Sequence, residues 1–61
     1  MPSITIKAIE GRTIEQKRGL VRDITDAVVK NFDVKPESVS IDFIEYRKQN
    51  LAKAGQLFED Q

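Results

Sequence analysis

The stretch SITIKAIEGRTIEQ, residues 3–16, decides the fold because its periodicity changes partway along. From Ser3 to Ile9 the side chains alternate, with Ile4, Ile6 and Ala8 on one face and Ser3, Thr5 and Lys7 on the other. That is the period-two pattern of a strand. Glu10-Gly11-Arg12 breaks the alternation. Thr13 and Gln16 then stand at capping-box spacing, the threonine hydroxyl accepting from a first-turn amide while the glutamine reaches back to the threonine N–H. A helix is predicted to begin there.

Beyond the cap, Leu20, Val21, Ile24, Ala27, Val28 and Phe32 recur at helical spacing and predict one apolar stripe of an amphipathic helix. Arg22 with Asp26 and Asp26 with Lys30 fall four apart on its wet side, pairs that contribute a few tenths of a kcal/mol each. Gly19, inside the helix, costs up to about 1 kcal/mol relative to Ala; its presence suits close approach of another backbone. Asp33-Val34-Lys35-Pro36 ends the helix, because the residue before a proline is pushed out of the helical region.

Val39 to Tyr46 alternates again, with Val39, Ile41 and Phe43 on one side and Ser40, Asp42, Ile44 and Tyr46 on the other. Two strands joined by a helix form a β-α-β unit, whose strands are parallel and whose crossover is right-handed. The fold class is therefore α/β (α+β), a single domain over residues 1–61. In the polar tail from Arg47 to Gln61 we expect a turn around Gln49 to Ala52. Gly55 then supplies a second turn into a short strand or arm near Gln56 to Phe58.

A chain of this length buries only about 60% of the surface its unfolded form exposes. The sequence has no Cys and no His, so neither a disulfide nor a Cys/His zinc site can staple it. Two strands and one helix leave one sheet face and both edges open. Ile9, Ile44, Tyr46, Leu57 and Phe58 exceed what one helix can cover, so oligomerisation is the remaining source of burial. Ten basic residues balance ten acidic ones, which implies no attraction to nucleic acid or to an anionic membrane. With no apolar run of membrane-spanning length and no hydrophobic leader, a cytoplasmic location is expected.

Pro2, directly after Met1 at the head of the first strand, is the candidate for chemistry in a chain without His or Cys. Removal of Met1 turns its nitrogen from an amide into a secondary amine. Together with the strand from Ser3 to Lys7, Glu10-Gly11-Arg12-Thr13, Glu15-Gln16-Lys17 and the stretch Val39 to Glu45, Pro2 gives a chain that resembles the 4-oxalocrotonate tautomerase family. The resemblance covers nearly the whole sequence. It implies a β-α-β protomer with a short C-terminal arm, dimers that join two sheets, and a homohexamer built as a trimer of dimers. It also implies a cofactor-free isomerase acting on a small enol or carboxylate substrate, an unsaturated 2-oxo acid.

In that family the proline is a general base, which is Pro2 here, and the arginine after Glu-Gly holds a substrate carboxylate, which is Arg12. A neutral amine can accept and return a proton near neutral pH once an apolar setting and a nearby guanidinium disfavour its cation. Two positions depart from the pattern. Ser40 stands where family members acting on hydroxymuconate carry a second arginine, and Leu51 stands in the region of an aromatic wall residue. Ser40 can donate one hydrogen bond but not a bidentate ionic contact. Arg47, nearby in sequence, is a candidate substitute. Two further readings follow: a hydratase or dehalogenase-like member, disfavoured by Lys53 where such members place a carboxylate, and a non-catalytic subunit of a mixed oligomer.

Overall fold

Thr13 closes the capping box. Its hydroxyl accepts from the Gln16 N–H at 3.1 Å, and the Gln16 side chain accepts from the Thr13 N–H at 2.8 Å. In the computed structural model, which describes residues 1–61, this cap separates β1 (Ser3–Ile9) from α1 (Ile14–Phe32). The chain continues through β2 (Ser40–Tyr46), β3 (Ala52–Lys53) and β4 (Gln56–Leu57). β1 and β2 pair in parallel, in the register Ile4 to Ile41, Ile6 to Phe43 and Ala8 to Glu45. The expected β-α-β unit is present. No helix is long and apolar enough to cross a membrane.

The helix ends within the expected stretch, though by a different cap, and the boundaries that follow it shift from the sequence reading. α1 ends at Asp33 in the left-handed region, where its N–H donates to the Val29 carbonyl at 3.0 Å, so a local cap stops the helix before Pro36 is reached. Pro36 instead opens a single 3₁₀ turn, Pro36–Ser38, whose carbonyl takes the Val39 N–H at 3.1 Å. That bond keeps Val39 out of the strand, which starts at Ser40. The expected turn at Gln49 to Ala52 is a 3₁₀ turn over Lys48–Asn50, and Ala52 already belongs to a strand. Ala54 and Gly55 turn the tail back, with φ of 54° and 79°, so the arm is a two-residue-loop hairpin with β4 antiparallel to β3. Phe58 lies beyond it, in a final 3₁₀ turn.

α1 rests on the face of the sheet that carries Ile4, Ile6, Ile41 and Phe43. Lys17, Val21, Ile24 and Val28, spaced four, three and four apart, are half-buried toward that face. The expected stripe is only partly covered: Leu20 is 41% and Phe32 67% exposed, and Ala27 is also exposed. A two-stranded sheet is narrower than the apolar arc of the helix. On the charged outer side, Glu15 pairs with Arg18, whereas Arg22, Asp26 and Lys30 form no ion pair.

None of the 61 residues is fully buried, and the chain exposes 4992 Å². A compact monomer of this size exposes about 4,000 Å². The radius of gyration, 14.7 Å, likewise exceeds the roughly 10.5 Å expected of a compact chain of this length. The open sheet face contributes to the excess through Ile44, 41% exposed, as does the arm through Leu57, 42% exposed.

Candidate active site

Pro2 is half-buried at the head of β1. Its carbonyl accepts the Ser40 N–H at 3.1 Å, so Pro2 and Ser40 are neighbours at one end of the sheet. With Met1 attached the Pro2 nitrogen is an amide without basicity. In the register that follows, Ser3 faces Ser40 and Ile4 faces Ile41.

Arg12 lies at the opposite end, in the exposed loop between β1 and α1. The length of β1, about 20 Å at roughly 3.3 Å per residue, separates it from Pro2. Leu51 is half-buried at the root of the hairpin, where its carbonyl accepts the Phe58 N–H at 2.8 Å. It follows the C-terminal end of β2 and so shares Arg12's end of the molecule. The structure thus brings Pro2 to Ser40 but leaves Arg12 and Leu51 a strand-length away. Within one chain the four residues do not form a site. Arg47 is also at the far end, lining a wholly polar cavity of about 250 Å³ with Glu10, Lys48, Gln49 and Glu59.

Arg12 opens onto a second cavity, of about 200 Å³, between α1 and the sheet. Ile6, Ala8, Leu20 and Phe43 line its apolar part, and Arg12, Gln16, Lys17 and Glu45 supply its polar groups. Lys17 Nζ donates to Glu45 Oε1 at 2.6 Å and sits 5.6 Å from the centre of the Phe43 ring. The two ion pairs in the chain are Lys17–Glu45 and Arg18–Glu15, so Arg12 is an unpaired cation. An unpaired guanidinium beside an apolar wall can hold the carboxylate of a small, otherwise apolar acid.

Lys17 and Glu45 were not among the residues expected at the site. A signal was nonetheless present, since Glu45 has the parity of Ile41 and Phe43, which places a carboxylate on the helix-covered face. Lys17 lies four residues before Val21 on the covered side of α1. A charge at each of two covered positions is what an ion pair between the layers needs.

Comparison with known proteins identifies the family and the fold. The family described as Tautomerase enzyme matches residues 2–61. A 2-hydroxymuconate tautomerase of Bacillus subtilis is 42% identical over 60 residues, covering 98% of this chain and 97% of the relative. Among solved structures, a 4-oxalocrotonate tautomerase isozyme from Methylibium petroleiphilum superposes with a TM-score of 0.91 at 42% identity, over 97% of this chain and 92% of the other. A heterohexamer 4-oxalocrotonate tautomerase from Chloroflexus aurantiacus superposes with a TM-score of 0.91 at 28% identity, over 98% and 97%.

Proposed function

The chain belongs to the tautomerase family, and from that premise we propose that it is a cytoplasmic, cofactor-free isomerase of an enol or unsaturated 2-oxo acid, with Pro2 as general base. The observation that carries the reading is the family match, which takes in Pro2 at the head of β1 and runs through the whole of the fold. After removal of Met1 the Pro2 nitrogen is a secondary amine. In its neutral form it takes the proton from the enol hydroxyl and returns it to carbon, so one group serves both steps. Ser40, adjacent to Pro2, offers a hydroxyl to the substrate, and Arg12 holds its carboxylate with Leu51 as apolar wall.

Because Arg12 and Leu51 lie a strand-length from Pro2, they reach it from another copy, and the working unit is an oligomer. Exposed surface supports this. The area beyond that of a compact monomer, about 1,000 Å², is close to what one partner contributes to a standard interface, about 800 Å². A homohexamer, built as a trimer of dimers, is the assembly we propose.

A second reading has a specific observation in its favour. Ser40 and Leu51 replace an arginine and an aromatic residue, and the Chloroflexus relative assembles as a heterohexamer. A subunit that lends Arg12 to a partner's proline without turnover of its own fits the same fold.

The test is to block the Pro2 nitrogen, either by retaining Met1 or by adding an amino-terminal extension, and to follow ketonisation of phenylenolpyruvate and 2-hydroxymuconate by absorbance. The processed protein should turn over and the blocked one should not, with assembly checked by sedimentation. Equal activity in an intact, blocked oligomer would refute the proline mechanism. A processed homo-oligomer inert toward both enols would favour the second reading.

A further inference from the structure

The Arg12 cavity holds one carboxylate, Glu45, and two cations, Arg12 and Lys17. Both cations could claim that carboxylate, and an arginine fork is the stronger partner for it. Yet Glu45 bonds to Lys17 at 2.6 Å and Arg12 stays unpaired. The geometry explains the division. Glu45 is fixed on β2 opposite Ala8, and Lys17 is fixed on the covered side of α1, where its N–H donates to the Thr13 carbonyl at 3.1 Å. Lys17 Nζ sits over the Phe43 ring, 5.6 Å from its centre, and both charged side chains are partly covered, at 25% and 31% exposure. Arg12 is outside this frame, on the loop next to Gly11, whose φ is 118°.

We infer that Lys17 is a positioning residue that keeps Arg12 free for a substrate carboxylate by engaging Glu45. The inference rests on the reading of Arg12 as the group that holds the carboxylate. With Lys17 in place the cavity carries a net charge of one positive unit, borne by Arg12. Without Lys17 the net charge is zero, and the carboxylate opposite Ala8 becomes an internal competitor for the guanidinium. Lys17 therefore acts on substrate affinity, and neither touches the reacting atoms nor moves a proton.

The experiment compares Lys17→Met, Lys17→Arg, Glu45→Gln and the double variant Lys17→Met/Glu45→Gln, with Arg12→Ala as control, in the processed oligomer. Methionine keeps a long apolar side chain at this position while deleting the charge. Lys17→Met should raise KM for phenylenolpyruvate at least fivefold with kcat within twofold, the split expected when substrate and transition state lose binding equally. The double variant should return KM to within twofold of the parent, because the competing carboxylate is gone. Lys17→Arg should also keep the parental KM. A structural role alone would lower the urea midpoint and kcat along with affinity, whereas this role moves KM and Kd with kcat and the midpoint held. Kd for phenylpyruvate by calorimetry should follow the same order, which keeps the test independent of turnover. An unchanged KM and Kd in Lys17→Met, or no recovery in the double variant, overturns the inference while the Arg12 reading stands. Unchanged values in Arg12→Ala overturn both.

Discussion

Gly19 offers a prediction whose size can be worked from the structure. It lies inside α1 with ordinary helical backbone, and a β-carbon built on it meets no atom within 4 Å. It also lies on the side of the helix away from Lys17, Val21, Ile24 and Val28, among the exposed Glu15, Arg22, Asp26 and Lys30. Gly19→Ala therefore creates no clash within the chain and changes only helix propensity, worth about 0.8–1.0 kcal/mol per protomer in favour of alanine. For a domain of this size that raises Tm by about 4–8 °C. The assay is thermal and urea unfolding at one fixed protein concentration, since assembly couples to stability, with sedimentation of both proteins alongside. A fall in Tm, or loss of the oligomer, would refute the reasoning. It would mean that the charged outer side of α1 is pressed against another chain, and that the glycine serves a close backbone approach the single protomer does not contain.

Thr13→Ala removes the hydroxyl that accepts from Gln16 and should cost about 1 kcal/mol of stability, read as a lower urea midpoint with an unchanged m-value. Ala54 occupies the left-handed region at φ 54° in a two-residue loop where Asn-Gly is the favoured pair. Ala54→Asn should therefore slow amide exchange in β3 and β4 and stabilise the arm by about 0.5–1 kcal/mol relative to alanine in that conformation; unchanged exchange would show that the hairpin does not limit opening of the arm.

What the sequence determined by itself is what short-range physics controls. Alternation at Ser3–Ile9 and from Val39 to Tyr46, the Thr13–Gln16 box and the stripe between them each depend on residues a few positions apart, and they placed both long strands and the helix. The helix end fell within the expected Asp33–Pro36 stretch, though a left-handed Asp33 rather than Pro36 stops it, and the start of the second strand at Val39 was misplaced by one residue because the Pro36 turn holds the Val39 N–H. The β3–β4 hairpin was half visible, as Gly55 marked its turn, but its two-residue strands are too short to show a period. Pro2 and Arg12 were legible as candidate site residues, while their separation was not, since a residue's place along β1 becomes a distance only once the strand is extended. Lys17 and Glu45 are 28 residues apart, and only the docking of α1 on β2 turns two surface-like charges into an ion pair inside a cavity. The sheet register and the layer contact are collective results of packing, so they, and the freedom they leave to Arg12, belong to the tertiary structure.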